Sequence, residues 1–146
     1  MNILNLNNFF YEIKDIHYAL TKIDVPYNPK EFPNKYAVGK DLDILVSTND
    51  YDTIKTITIK YFKQYDQFIF KIIEKENNLR LRMEKNSKLH YQIDITINNS
   101  LIVNRVKKDN YYILSLENEK IIRLNEIKNN PNKKHHKEWI SNQKMI

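Results

Sequence analysis

The chain has 146 residues, 41% of them apolar, and a formal net charge of +6, which suits one folded domain and is too short for two ordinary ones. It has no cysteine, so disulfides, thiolate zinc sites and thiol nucleophiles are excluded. It has no run of about 18 apolar residues, which speaks against a transmembrane helix, and with Gly39 as its one glycine it can form neither a G-x-x-x-x-G-K-[ST] nor a G-x-G-x-x-G phosphate loop.

In chain order, Phe9, Ile13, Ile16, Leu20 and Ile23 recur at steps of four and three and predict one helix over 8–23, capped by Asn7 or Asn8. The opening stretch lacks a basic n-region and a small-residue cleavage site, so no signal peptide and a cytoplasmic location are expected. Pro26, Pro29 and Pro33, with Asn28 and Asn34 among them, predict a loop. "YAVGKDLDILV" (36–46) reads as a buried strand. "STND" then offers helix caps, and Ile54, Ile57, Tyr61 and Tyr65 continue on one helical face. "QFIFKIIE" (67–74), "LRLRME" (79–84) and "LHYQIDITI" (89–97) read as three strands, the last two joined by the turn "KNSK" as a hairpin.

"LIVNRV" (101–106) reads equally as a strand or the start of a helix, and "YYILS" (111–115) as a short strand or a linker. "LENEKIIRLNEIKNN" is a helix by period, with Ile121, Leu124 and Ile127 at near-helical steps. Asn130 and Pro131 predict the cap and first residue of a last helix. No repeat and no long polar linker divides the chain. The expected architecture is a single α+β domain over 1–146: a core at about 8–115, with a mixed sheet covered by the two early helices, and a helical C-terminal segment at about 116–146.

The central strand poses a chemical question, because Asp41 and Asp43 stand inside its hydrocarbon. Side chains alternate along a strand, so the two share one side. Two carboxylates that close repel, and burying them unpaired is costly. Magnesium relieves both problems, since it takes carboxylate oxygens and keeps sites for water and phosphate. Asp94, in "YQIDITI", shares its face with Gln92 and Thr96, and on a neighbouring strand it would converge on the pair. Three carboxylates so placed suit a two-metal phosphoryl-transfer site. The plainer reading puts Asp41 at a frayed strand start, Asp43 on a solvated edge and Asp94 on the wet face of a hairpin.

"VGKDLDILV", a following helix and a later "QIDITI" strand resemble the DNA polymerase β-type nucleotidyltransferase superfamily, most of all its compact bacterial members. The likeness covers about residues 23 to 97, with a looser one at "NPNKKHHKEWI". It implies a nucleotidyltransferase fold and a magnesium-dependent transfer from an NTP to an acceptor hydroxyl, with manganese as a substitute ion. Asp41, Asp43 and Asp94 would be the metal ligands and catalytic acids, Asp94 also helping to activate the acceptor. Gly39 would let the backbone approach phosphate. Many members carry Gly-Ser before the acids. Here Lys40 follows Gly39 directly, and would replace the serine as a point charge.

Arg80 and Arg82 share a strand face, and on the face of Asp94 they would hold triphosphate oxygens. The "KKHHK" run (133–137) concentrates positive charge, which would meet either phosphate or water. His135 and His136 are adjacent, not at i, i+4 spacing, so a zinc site is not expected. Two other functions stay open. One is a catalytically inactive relative acting as a binding or regulatory module, with a protein partner or a second copy. The other is a basic nucleic-acid-binding domain, less favoured because only four of the 24 basic residues are Arg and Arg is the residue of base readout and forked phosphate contacts. No membrane partner is expected.

Overall fold

Among the described residues, strand-forming segments from both halves of the chain meet in one seven-stranded mixed sheet. The computed structural model describes residues 4–23, 32–34, 36 and 40–144. The elements are α1 (Asn7–Glu12), β1 (Tyr18–Thr21), β2 (Lys40–Val46), a 3-10 turn (Thr48–Asp50) running into α2 (Tyr51–Lys63), β3 (Ile69–Lys75), β4 (Asn78–Lys85), β5 (Lys88–Ile97), β6 (Val106–Lys108), β7 (Tyr111–Ile113), α3 (Leu116–Asn129) and α4 (Lys134–Lys144). Strand order is β3-β4-β5-β2-β1-β7-β6. β2 runs parallel to β5 and β1 parallel to β7, while the remaining neighbours are antiparallel. The architecture is thus mixed α and β, a mixed sheet with helices, as the pattern of elements led one to expect. No helix among the described residues is long and apolar enough to cross a membrane.

The helix expected over 8–23 is two elements. α1 ends at Glu12, and Tyr18–Thr21 is a strand between β2 and β7. The reason lies far away in sequence. Arg105 Nη1 donates to the carbonyls of Ile16 and Tyr18, both at 2.9 Å, and its guanidinium stacks on Tyr112. The His17 N–H donates to Asp50 at 2.8 Å, and the His17 carbonyl accepts from the Ser47 N–H. With these backbone groups taken by distant partners, no helical ladder passes through 16–18. All four residues of β1 are buried, so its side chains carry no alternation to read.

Other boundaries moved less. In α2 the buried stripe is Tyr51, Ile54, Thr58 and Phe62, while Ile57 and Tyr61, and Tyr65 just past the helix end, are only partly buried. The β4–β5 hairpin closes as expected, with Asn86 and Ser87 both at positive φ (52° and 63°), the conformation a two-residue hairpin turn requires. Residues 101–104 form a turn before β6, and 111–113 is a strand. Asn130 ends α3 rather than capping α4, which begins at Lys134. The expected proline loop falls mostly outside the described residues, apart from 32–34.

One face of the sheet packs Leu42, Ile44 and Val46 of β2, Tyr91, Ile93 and Ile95 of β5, and Leu79, Leu81 and Met83 of β4 against Phe9 and Phe10 of α1 and Ile54 and Phe62 of α2. On the other face Ala19 and Leu45 pack with Ile102 and Leu114, and Ile122 of α3 lies against them. That second face bears the polar residues considered next.

Candidate functional site

Register decides which polar groups meet. Asp43 on β2 stands opposite Thr21 on β1 and opposite Asp94 on β5. Asp94 in turn stands opposite Arg80 on β4. One row therefore crosses four strands: Thr21, Asp43, Asp94, Arg80. The next row holds Asp41, Gln92 and Arg82. Neighbouring strands lie about 4.8 Å apart, so the three carboxylates are gathered on one face by backbone geometry alone. Of the plainer reading, the solvated edge fails for Asp43, since β2 is an interior strand, while Asp94 does lie on the β4–β5 hairpin, with β2 on its other side. Asp41, the second residue of β2, is exposed, as a strand start would leave it; Asp43 is a quarter exposed and Asp94 less.

The carboxylates feel one another. Burial pushes Asp43 up to about 6, with Asp94 and Asp41 adding to it and Lys22 opposing. Burial and the charge of Asp94 raise Asp41, while Arg80, Lys133 and Lys22 pull it down. Burial is the larger cause for both, and the neighbouring carboxylates add to it.

Two cations are already seated on the row. Arg80 Nε donates to Asp94 Oδ1 at 2.8 Å, and Gln92 Nε2 donates to Oδ2 at 3.0 Å. Lys22 Nζ lies 3.6 Å from Asp43 Oδ2 and donates to Glu126 Oε1 at 3.1 Å. The donor set suits a hard divalent cation: oxygen ligands only, on one face, with surplus negative charge. It is not a finished cage. Among the described residues no three His, Asp or Glu side chains are arranged to hold an ion.

The sequence-derived candidates are therefore brought together in part. Asp41, Asp43, Asp94, Arg80 and Arg82 share one face across three strands. Arg80 is committed to Asp94, and Arg82 Nε faces Glu84 Oε2 at 3.7 Å. Gly39 lies outside the described residues, and Lys40 enters only as the first residue of β2.

Sequence reasoning missed a second polar group beside the row. Glu119 and Arg123 of α3 and His136 of α4 are all buried. Arg123 Nε donates to Glu119 Oε2 at 2.6 Å, and Arg123 Nη1 lies 3.3 Å from His136 Nδ1. The guanidinium also stacks on Trp139. Thr21 Oγ1 donates to Glu119 Oε1 at 2.8 Å and the Lys22 N–H to Oε2 at 3.2 Å. The apolar stripe expected on α3 is instead turned outward at Ile121 and Leu124. The sequence carries the signal: Glu119, Arg123 and Glu126 recur at steps of four and three, a charged stripe beside the apolar one. Burial, His135 and Arg123 push His136 down to about 4, so it is neutral at pH 7, and its 4.0 Å approach to Glu126 is no ion pair there. Comparison with family models, with curated proteins and with solved structures finds no match to this chain in any of the three.

Proposed function

We propose that the protein is a magnesium-dependent nucleotidyltransferase that moves a nucleotidyl group from an NTP to an acceptor hydroxyl. One observation carries the reading: the parallel pairing of β2 and β5 sets Asp94 directly beside Asp43, with Asp41 two residues along on the same face. In this reading Asp41, Asp43 and Asp94 hold magnesium, or manganese in its place. Bound there, the ion neutralises the triphosphate and the pyrophosphate that leaves. The chain supplies the rest. Asp94 takes the proton of the acceptor hydroxyl as its oxygen attacks the α-phosphorus. Arg80 and Arg82 hold phosphate oxygens, and Lys40 stands at the strand entrance where many relatives of such a fold carry serine. In-line positioning and charge stabilisation then account for the catalysis.

The test is uptake of each of the four NTPs with magnesium, followed by release of pyrophosphate, in the wild type and in Asp43→Asn and Asp94→Asn. The expected result is loss of turnover by a hundredfold or more (about 3 kcal/mol of transition-state stabilisation) in each variant. Retained turnover in both rejects the assigned roles.

A second reading has an observation of its own. Lys22 and Arg80 already neutralise two of the three acids, which is how a non-catalytic binding or regulatory module would keep such a row without metal. Calorimetry showing no nucleotide uptake, together with partner binding indifferent to magnesium, selects it.

A further inference from the structure

Lys22 follows β1 directly, in a stretch whose periodicity points to a helix. Its backbone is left-handed, at φ 60°, a region that disfavours residues with a Cβ. It is held there from α3. The Lys22 N–H donates to Glu119 Oε2, the preceding Thr21 hydroxyl donates to Oε1, and Arg123 fixes the same carboxylate. A counter-ion for Asp43 alone does not call for this, since a long flexible side chain reaches a carboxylate from many relaxed positions.

What the arrangement secures is the place of the ammonium. It lies at the end of the acidic row, 3.6 Å from Asp43 and 3.1 Å from Glu126. Arg80 closes the other end on Asp94. Each cation therefore covers a carboxylate that the nucleotidyl-transfer reading assigns to metal. With a divalent ion on Asp43 the ammonium would be repelled from that oxygen, and Glu126 would keep it nearby. An ammonium has three donors and no acceptor, so one released from Asp43 has an N–H to offer an incoming anion.

We propose that Lys22 is a phosphate-contacting residue, which exchanges Asp43 for a phosphate oxygen of the bound triphosphate while Glu126 tethers it. This rests on the nucleotidyl-transfer reading and adds to it a residue which that reading did not contain. It has a signature that a structural role lacks. The charge of Lys22 opposes binding of a metal ion alone and favours binding of a polyanion, so its removal changes the two affinities in opposite directions.

The experiment uses Lys22→Gly, which removes the ammonium and suits the left-handed backbone, with Lys22→Met as a second neutral variant and Lys22→Arg as the conservative one. Thermal melting confirms that each is folded. Calorimetry then measures manganese alone and magnesium tripolyphosphate. Both neutral variants are expected to bind manganese about threefold or more tighter and magnesium tripolyphosphate about tenfold or more weaker, with Lys22→Arg restoring the latter. Affinities that are unchanged, or that fall together, overturn the role of Lys22 and leave the enzymatic reading standing. A wild type that binds neither probe overturns both.

Discussion

Two polar clusters lie side by side on the second face of the sheet, and they are solved differently. In the Glu119–Arg123–His136 cluster one carboxylate meets one guanidinium, and the imidazole is neutral. Every partner is supplied by the protein, and the group ties α3 and α4 to the end of β1 through Thr21 and Lys22. In the acidic row Asp43 and Asp94 pair with Lys22 and Arg80, Lys22 being shared with Glu126 of α3, and Asp41 stands beside them. The first cluster is balanced and holds structure. In the second, burial raises Asp41 and Asp43 and the neighbouring carboxylates add to it, a penalty that a bound divalent cation would offset in the proposed reading.

The contrast makes substitutions in the two clusters differ in sign. The largest effect is expected for Arg123→Met, which leaves Glu119 buried without its guanidinium. It should cost about 3–5 kcal/mol in urea denaturation. Asp43→Asn should do the reverse in metal-free protein. It removes a carboxylate charge that burial and two neighbouring acids disfavour, while Lys22 keeps Glu126, and a gain of about 1–2 kcal/mol at pH 7.5 is expected. A loss of similar size for Asp43→Asn would show the row to be balanced like its neighbour.

The pH dependence sharpens this. Asp43 is raised in the folded state from 3.8 to about 6, so the folded state holds that proton more tightly. Its destabilising influence is absent below 3.8 and complete above 6, and the gain from Asp43→Asn should vanish by pH 3.5. His136 runs the other way. It is lowered from 6.5 to about 4, so the unfolded chain takes up the proton first. Stability from this group is present above 6.5 and is lost as pH falls towards 4. His136→Asn should flatten that acid limb in melting curves recorded from pH 7 to 4. The smallest effect is expected at the edge of the sheet. Lys71 pairs with Glu84 on the outer strands with 60% of its side chain exposed, and Lys71→Ala should leave the melting temperature unchanged within error.

How much of this is legible in the sequence depends on where each residue's partners are. The β4–β5 hairpin is readable because its alternation and its turn are local, and the acids are readable because charge inside an apolar strand is conspicuous. β1 is not, because Arg105 and Asp50 determine its backbone from 87 and 33 residues away. The inward face of α3 is misjudged for a related reason. A buried stripe of Glu119 and Arg123 becomes affordable only once Thr21, Lys22 and His136 surround it, and none of these is near it in the chain except His136. Lys22 stays hidden for both reasons at once, since it follows the misread strand and is fixed by the misread helix. The adjacency of Asp94 to Asp43, by contrast, is a matter of register that the sequence suggests and only strand order delivers.

The central claim is that the row made by β2 and β5 is a divalent-cation site. Its most direct test is a crystal grown with manganese and measured at an anomalous wavelength. The expected result is an anomalous peak bounded by oxygens of Asp41, Asp43 and Asp94, with Lys22 moved off Asp43. A map with Lys22 and Arg80 still on their carboxylates, and no peak between those strands at saturating manganese, would contradict it.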